Sequence, residues 1–369
     1  MGKRKTPLHG RCLEAGAKMV EFAGWEMPIQ FDGVLQEHKA VRKSCGLFDI
    51  SHMGVITLRG EQAKETLQNL VPSDLFRIGA GQACYTVLTN EKGGIIDDLI
   101  VYDNGFNQEN VQELHLVINA ATAQKDIEWI TDHSRKYKAD VVDRKGNGVL
   151  LALQGPESEL KLEAVIKKNL KELPSFGHQT FITDHCGEVM ISRTGYTGED
   201  GFELLMGEEE GKHFWDLCQA SEVQLCGLAA RDILRLEAGM HLYGNDITEE
   251  TTPFETGLGW LVHLEMPKDF VGRKCLEEQA EGTIQQKLIC IKMDKRAIPR
   301  RGYNIQASNG EVVGKITSGG WSPTLEAGIA FAFVNQRESK CGTRLSVDIR
   351  GQQIPCKVVK RPFVRGRRF

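Results

Sequence analysis

Apolar and polar positions recur along the chain in two different periods, which predicts strands mixed with helices. Residues 85–88 and 95–101 are apolar runs of strand length, and the polar, glycine-containing residues 90–94 between them are typical of a hairpin turn. The same patterns predict strands at 55–58, 114–118, 149–153 and 189–194, and helices at 37–43, 61–70, 119–130 and 227–238, with one more opened by Pro156. Asn119 is placed to cap the helix at 119–130. The alternation of strands and helices indicates α/β layers.

The C-terminal part of the chain has a different pattern. Residues 277–283 are strongly polar, and we interpret them as a domain boundary that separates a region 1–276 from a region 283–369. Beyond the boundary, short β-like runs separated by Gly, Asn and Ser predict a small all-β barrel or sandwich, with strands at 288–293, 312–317, 327–334, 345–349 and 354–359.

Two acidic residues interrupt the apolar run at 95–101. Successive side chains of a strand point to opposite faces, so Asp98 shares one face with Ile96 and Ile100 while Asp97 lies on the other. At least one carboxylate must therefore sit among apolar neighbours. Such a group is either hydrogen-bonded by its own fold or held for a ligand, and this segment alone leaves both roles open.

Other polar and aromatic residues are candidates for a binding site. Glu203 follows a glycine-rich turn that permits close approach to a ligand, although an exposed hairpin glutamate is the plainer interpretation. Arg231 and Arg235 lie one helical turn apart, where they can receive an acidic ligand or form a solvated face. Trp260 is suitable for stacking on a flat ligand and equally for a core. His52 has no partner at metal-ligand spacing, which favours a structural role.

Composition and charge exclude several classes of protein. With 41% apolar residues, 26% charged residues and a net charge of -4, the chain is typical of a globular protein and not of a nucleic-acid binder. The ten cysteines are scattered, so we expect reduced thiols and no zinc site. We see no signal peptide and no run near the ~20 apolar residues of a membrane span. Nucleotide-phosphate, serine-hydrolase and zincin motifs are absent from the sequence.

Several short motifs, in a fixed order, together resemble one known family. They are Thr-Pro-Leu at 6–8, Phe-Ala-Gly-Trp at 22–25, Leu-Phe-Asp-Ile-Ser-His-Met at 47–53, Gly-Gly-Ile-Ile-Asp-Asp-Leu-Ile at 93–100, Leu-Ala-Leu-Gln-Gly-Pro at 151–156, Gly-Tyr-Thr-Gly-Glu-Asp-Gly at 195–201, Ala-Ala-Arg-Asp at 229–232, Tyr-Gly-Asn-Asp at 243–246 and Pro-Phe-Val at 362–364. With these motifs the chain resembles the T-protein, or aminomethyltransferase, family of the glycine cleavage system.

The resemblance implies both a fold and a reaction. The fold is a three-domain cloverleaf, with two α/β portions and a C-terminal β-barrel around a central folate site. The reaction takes an aminomethyl group from the lipoyl arm of the carrier H-protein, transfers its one-carbon unit to tetrahydrofolate, and releases ammonia. The resemblance implies that no metal or nucleotide is required. Because Thr-Pro-Leu begins the family pattern with no transit peptide before it, we expect a bacterial cytoplasm and not a mitochondrial matrix.

The resemblance also implies roles for individual residues. Asp98 matches the catalytic acid, Glu203 the pterin anchor and Arg231 the arginine of the substrate site. The pocket-lining positions correspond to Met53, Tyr85, Asn119, Tyr196 and Trp260. The last site residue of the family follows Pro-Phe-Val by a few positions, which selects Arg368 and leaves Arg367 open.

Two alternatives within folate proteins lack this activity. One is the homologous iron-sulfur assembly factor, whose K-x-x-C-Y-x-G-Q-E signature is absent from this sequence. The other is a folate module of the demethylase type, which usually carries a fused flavin domain for which 369 residues leave no room.

Overall fold

The computed structural model describes residues 2–144 and 148–366. Within these ranges the chain forms three open sheets followed by a closed barrel. The observed fold is therefore mixed α and β with a C-terminal β-barrel, as the sequence predicts. The predicted site residue Arg368 and its alternative Arg367 lie outside the described residues.

The helices are mostly short. They are α1 (His9–Glu14), α2 (Val34–Lys43), α3 (Ala63–Gln68), α4 (Ala123–Ser134), α5 (Ser158–Ile166), α6 (Glu208–Ala220), α7 (Leu228–Glu237), α8 (Pro253–Thr256) and α9 (Arg273–Glu281), with 3₁₀ turns at Leu75–Arg77, Gly259–Leu261 and Gln336–Glu338. Among the helices that the structure describes, none is both long enough and apolar enough to cross a membrane.

The starts of α4 and α5 differ from the prediction. Helix α4 begins at Ala123 with Thr122 at the N-cap position, so the prediction that Asn119 caps this helix is wrong. The amide of Asn119 is instead bound to two aspartates of a neighbouring strand, which leaves it unable to fold back onto the helix. Helix α5 begins at Ser158, and Pro156 lies in the turn before it.

The second of the first two sheets contains the predicted hairpin. A small sheet of order β1-β3-β2 contains β1 (Arg4–Lys5), β2 (Lys18–Phe22) and β3 (Trp25–Gln30). An antiparallel sheet of order β6-β7-β8-β5-β9 contains β5 (Gly54–Gly60), β6 (Gln82–Thr89), β7 (Ile95–Phe106), β8 (Gln112–Ile118) and β9 (Ala139–Asp143). Strands β6 and β7 pair with Tyr85 opposite Ile100, which confirms the hairpin. The pairing brings Tyr85 into hydrogen-bonding reach of Asp98 on β7.

The third sheet has six strands of order β11-β12-β13-β10-β4-β14. Its strands are β4 (Gly46–Asp49), β10 (Val149–Gln154), β11 (His178–Thr183), β12 (Gly187–Ser192), β13 (Gly201–Met206) and β14 (Gln224–Leu225). Strand β10 is buried along its whole length, as its continuous apolar run predicts, because β4 and β13 flank it and apolar side chains cover it. Strand β13 carries Glu203, which is buried.

The C-terminal strands close into a barrel of order β15-β18-β17-β16-β19-β20. They are β15 (Gln286–Met293), β16 (Asn304–Gln306), β17 (Val312–Ser322), β18 (Ala327–Asn335), β19 (Arg344–Ile349) and β20 (Gln352–Val359). Because these strands close into a barrel, the barrel prediction is confirmed and the sandwich alternative is excluded. Strand β16 was not predicted, because three residues are too few to show an alternation of apolar and polar positions. The polar run at 277–281 forms the second half of α9.

A buried carboxylate at the end of α7 ties the barrel to the preceding part of the chain. Glu237 is fully buried and accepts hydrogen bonds from His38 at 2.9 Å and Arg42 at 2.8 Å, both on α2. From the barrel side it accepts from Ser322 and from Thr324, the latter at 3.0 Å. Burial opposes ionisation, yet the His38 and Arg42 contacts hold the pKa of Glu237 down at about 2. Helices α2 and α7 and the barrel therefore meet at one charged group.

Candidate active site

A cavity of about 1220 Å³ lies where the sheets, helix α7 and the barrel meet. Eight of the nine predicted site residues line this cavity: Met53, Tyr85, Asp98, Asn119, Tyr196, Glu203, Arg231 and Trp260. They come from distant parts of the sequence, so only the tertiary fold brings them together. Across residues 2–144 and 148–366, no cluster of three or more His, Cys, Asp or Glu is placed to hold a metal ion.

Asp98 is the acidic group on the cavity side of strand β7. Its Oδ2 accepts a hydrogen bond from the Tyr85 phenol at 2.9 Å, and its Oδ1 accepts one from Asn119 Nδ2 at 2.8 Å. Burial and then the charge of Asp97 raise the pKa of Asp98 to about 7, against the opposing effect of the two donors. A carboxyl with this pKa can both take up and release a proton near neutral pH.

Asp97 lies on the opposite face of the same strand and is fully buried. It accepts hydrogen bonds from the backbone N–H of Asn119 at 3.0 Å and from its Nδ2 at 2.9 Å. The two roles that the sequence left open are therefore divided between the pair. Asp97 has its hydrogen bonds supplied by the fold itself, whereas Asp98 lines the cavity, where a ligand can reach it.

Glu203 is only 7% exposed, so the interpretation as an exposed hairpin glutamate is wrong. Strand β13 is a central strand of its sheet, which places the side chain inside the molecule. Its Oε2 accepts a hydrogen bond from Thr194 at 2.6 Å and a longer one from the Tyr102 phenol at 3.5 Å. Both bonds go to one oxygen, so the other oxygen remains an acceptor for a molecule in the cavity.

The two arginines of α7 have different surroundings, and neither belongs to a solvated face. Arg235 is buried and donates to Asp232 at 2.8 Å and to Asp246 at 2.7 Å. Arg231 lies over the Tyr196 ring, 4.9 Å from its centre. Its buried Nη1 has no hydrogen-bond partner among the described residues. Leaving such a donor unpaired is costly, so Arg231 is the arginine available to a ligand.

Aromatic rings form one side of the cavity. Trp260 is 65% exposed and stacks on Tyr85, with ring centres 6.4 Å apart and an interplanar angle of 28°. Its exposure excludes the alternative that it is a core residue. The two rings together offer a flat apolar surface beside Asp98.

Two further lining residues were not predicted as site residues. His52 is buried, meets Phe22 edge-on at 5.6 Å, and has no partner for Nδ1 within the described part of the chain. Burial and the charge of Arg231 lower the pKa of His52 to about 3, so it is neutral at working pH. Arg361, the second residue of the basic C-terminal tail (residues 360–369), lines the cavity and donates to the Thr256 carbonyl at 3.3 Å. His52 lies within the family motif at 47–53, whereas no local sequence signal marks Arg361.

Comparison with known proteins identifies the class to which this fold and cavity belong. A family model described as the GCVT N-terminal domain matches residues 8–266. A second, described as the glycine cleavage T-protein C-terminal barrel domain, matches residues 286–365. The chain belongs to the glycine cleavage T-protein family.

Relatives along the full length carry one activity name. The aminomethyltransferase of Parasynechococcus marenigrum (strain WH8102) is 56% identical over 366 residues, covering 99% of this chain and 100% of the relative. The aminomethyltransferase of Synechococcus sp. (strain CC9311) is 54% identical over 368 residues, with 99% and 100% covered. The crystal structure of glycine cleavage system aminomethyltransferase T from Bartonella henselae matches with a TM-score of 0.90 and 36% identity over 98% of both chains. The predicted family and enzyme class are confirmed.

Proposed function

We propose that the cavity binds tetrahydrofolate and receives the aminomethyl group carried on the lipoyl arm of H-protein. The one-carbon unit passes to tetrahydrofolate, ammonia is released, and the lipoyl arm is left as reduced lipoamide. The observation that carries this proposal is the Asp98 carboxyl, which is only partly exposed, lies at the wall of the cavity and has its pKa raised to about 7. The volume of about 1220 Å³ exceeds the roughly 300–1,000 Å³ of an ordinary small-molecule pocket, which leaves room for two reactants.

Glu203 is proposed to anchor the pterin ring. A carboxylate can accept two N–H groups from the aminopyrimidine edge of a pterin, and Glu203 retains an oxygen for this purpose. Arg231 is within electrostatic reach of Glu203, and its unpaired Nη1 supplies a donor to the same ligand. The two residues together offer both acceptors and a donor at one end of the cavity.

Asp98 is proposed to manage the protons of the transfer step. A folate nitrogen attacks the aminomethyl carbon while ammonia departs, so positive charge develops on the attacking nitrogen. The Asp98 carboxylate can accept a hydrogen bond from that nitrogen, orient it and stabilise the charge. Tyr85 and Asn119 fix the carboxylate in place.

The remaining lining residues are proposed to shape the folate pocket. Tyr85 and Trp260 offer stacking surfaces, Tyr196 lies beneath Arg231, and Met53 adds apolar contact. Arg368 stays a proposed site residue on the strength of its sequence position, with Arg367 as the alternative. We also keep regions 1–276 and 283–369 as the proposed domains.

The alternative of a folate-binding homologue without this activity is not favoured. Relatives at 56% and 54% identity over nearly the whole chain are named aminomethyltransferase. These relatives are bacterial, which supports the proposed cytoplasmic location over a mitochondrial matrix.

The experiment that tests the function is an ammonia-release assay with aminomethylated H-protein, with and without tetrahydrofolate. We expect ammonia release that depends on tetrahydrofolate and is accompanied by transfer of the one-carbon unit to it. Binding of tetrahydrofolate without ammonia release would overturn the proposal in favour of a non-catalytic folate module.

A further inference from the structure

A second acidic residue lies against Asp97, on the side away from the cavity. Asp126, in the first turn of α4, is fully buried, as is Asp97. The Asp126 and Asp97 carboxyls are in hydrogen-bonding contact. Apart from the Thr122 hydroxyl, which contacts both carboxyls and has a single hydrogen to donate, no N–H or O–H donor of the described residues bonds either oxygen of Asp126. Two carboxyl groups can share a hydrogen bond only if one of them carries a proton.

The charged and titratable groups around the pair do not offer it a free cation. Lys125 precedes Asp126, but its Nζ is bonded to Glu249 at 2.6 Å, to the Tyr243 phenol at 3.2 Å and to a backbone carbonyl. On the hairpin side the pair faces the acidic Asp98. Like charges in contact and out of water cannot both persist, so one proton must stay on the pair.

We propose that Asp126 holds a proton against Asp97 and is a positioning residue for Asp98. The pair then carries one negative charge, with Asp126 as donor and Asp97 as acceptor. Burial first, and then the charge of Asp97, raise the pKa of Asp126 to about 10, which agrees with a proton that stays in place at neutral pH. The effect on the reaction rests on the proposed function, but the presence of the proton does not.

The coupling to Asp98 runs through one amide. Asn119 Nδ2 donates both to Asp97 at 2.9 Å and to Asp98 at 2.8 Å. With Asp126 protonated, Asp97 remains the acceptor that orients this amide, and the amide orients Asp98. The net charge of the Asp97–Asp126 pair also affects Asp98. A second negative charge on the pair would favour the protonated form of Asp98, whereas a neutral pair would favour its ionised form.

Infrared spectroscopy tests the proton directly. We would record the C=O stretch of protonated carboxylic acids at pH 8 in the Asp98→Asn background, so that Asp98 itself does not contribute. Asp126→Asn in this background is expected to remove a band, whereas Asp132→Asn, an exposed aspartate of the same helix, is expected to leave it unchanged. Absence of any such band in the Asp98→Asn protein overturns the proposal without a further variant.

The pH profile of kcat/KM in the otherwise native enzyme tests the positioning role. Asp126→Asn keeps a neutral donor to Asp97 and leaves the single negative charge on Asp97. The acidic limb of the pH profile is therefore expected to stay at the same pH. Asp97→Asn removes the charge beside Asp98, so the limb is expected to move to lower pH. Equal displacement in both variants overturns the assignment of the proton to Asp126. Loss of ammonia release in the native enzyme would instead refute the proposed function and leave the infrared result standing.

Discussion

The Tyr85 phenol donates to Asp98 Oδ2 at 2.9 Å, on the opposite side of the carboxyl from the Asn119 amide. Each oxygen of Asp98 is thus held by one neutral donor. Both donors stabilise the ionised form, yet burial and Asp97 still raise the pKa of Asp98 to about 7. The site holds a fixed carboxyl whose charge is easily changed.

Replacing this carboxyl tests its catalytic role. Asp98→Asn preserves the volume but removes the charge and the basicity, so turnover is expected to fall about 10²-fold or more. Folate affinity should stay within a few-fold of wild type. The measurement is single-turnover ammonia release together with a folate titration.

Asp97→Asn is the matched variant for this experiment, since it changes the adjacent residue on the opposite strand face. It is expected to cost far less turnover than Asp98→Asn. Because Asp97 is buried and bound to Asn119, the cost should fall mainly on stability. If turnover survives in Asp98→Asn and collapses in a folded Asp97→Asn, the catalytic assignment within the pair is wrong.

Asp98 also makes stability depend on pH. The folded protein keeps the Asp98 proton up to about pH 7, whereas the unfolded chain releases it near pH 4. The folded state therefore binds more protons between these values, and the free energy of unfolding falls as pH rises through this window, by at most about 4 kcal/mol. Asp98→Asn has no carboxyl at this position, so its free energy of unfolding does not fall for this reason. The variant should therefore gain stability relative to wild type from pH 5 to pH 8. Denaturant titrations at both pH values check this, and parallel losses in the two proteins would contradict it.

Glu203→Gln tests the proposed pterin anchor. The substitution keeps the shape but removes the charge and part of the accepting capacity, which costs on the order of 2 kcal/mol in a site shielded from water. Tetrahydrofolate should bind ten-fold or more weakly in a calorimetric titration. Glu188→Gln, on the neighbouring strand and exposed, is the control with no expected effect. Unchanged affinity in Glu203→Gln would remove the assignment.

Trp260 gives the cavity an optical reporter. Because the side chain is largely exposed, Trp260→Leu should leave thermal stability nearly unchanged. Loss of the stacking surface is expected to raise the KM for tetrahydrofolate several-fold and to remove most of the tryptophan fluorescence change on binding. A full fluorescence response in Trp260→Leu would place the folate away from this ring.

The basic C-terminal tail is expected to help recruit an acidic carrier protein. Neutralising Arg365, Arg367 and Arg368 should raise the KM for H-protein and flatten its salt dependence, since such attraction is screened over about 10 Å at 0.1 M salt. The measurement is a series of KM values for H-protein at increasing ionic strength.

An equal change of net charge elsewhere serves as control. Arg135, Lys136 and Lys138 follow α4, are exposed and do not line the cavity, so neutralising them should not affect the KM for H-protein. An identical salt response in wild type and the tail variant counts against carrier contact. A loss confined to folate affinity assigns the tail to the folate.

Local patterns were sufficient for most of the elements. The hairpin of β6 and β7 follows from two apolar runs and a glycine-containing turn, and the buried strand β10 follows from a continuous apolar run. Asn119 shows where local reasoning ends. Asparagine is a favourable helix-capping residue, but the amide of Asn119 is bound by two carboxylates more than twenty positions earlier in the chain. No local sequence pattern indicates such a contact.

Residues of the site were predictable only where a motif carried them. The family motifs led to Asp98, Glu203 and Arg231, and the structure places all three at one cavity. The contrast between Arg231 and Arg235 depends on Asp246, which a loop brings beneath the helix. His52 lies within a family motif, but its burial with Nδ1 unpartnered among the described residues has no local signature in the sequence.

The contacts of Glu237 bear on how the molecule unfolds. Separating the barrel from α7 would withdraw the Ser322 and Thr324 hydroxyls from a carboxylate that has no exposed surface. Glu237 would keep its contacts with His38 and Arg42 but lose two hydrogen bonds to a charged group, which together are worth several kcal/mol, a large share of the stability of any domain. The barrel and the cavity wall therefore depend on each other thermodynamically, and heat is expected to melt them in one cooperative transition.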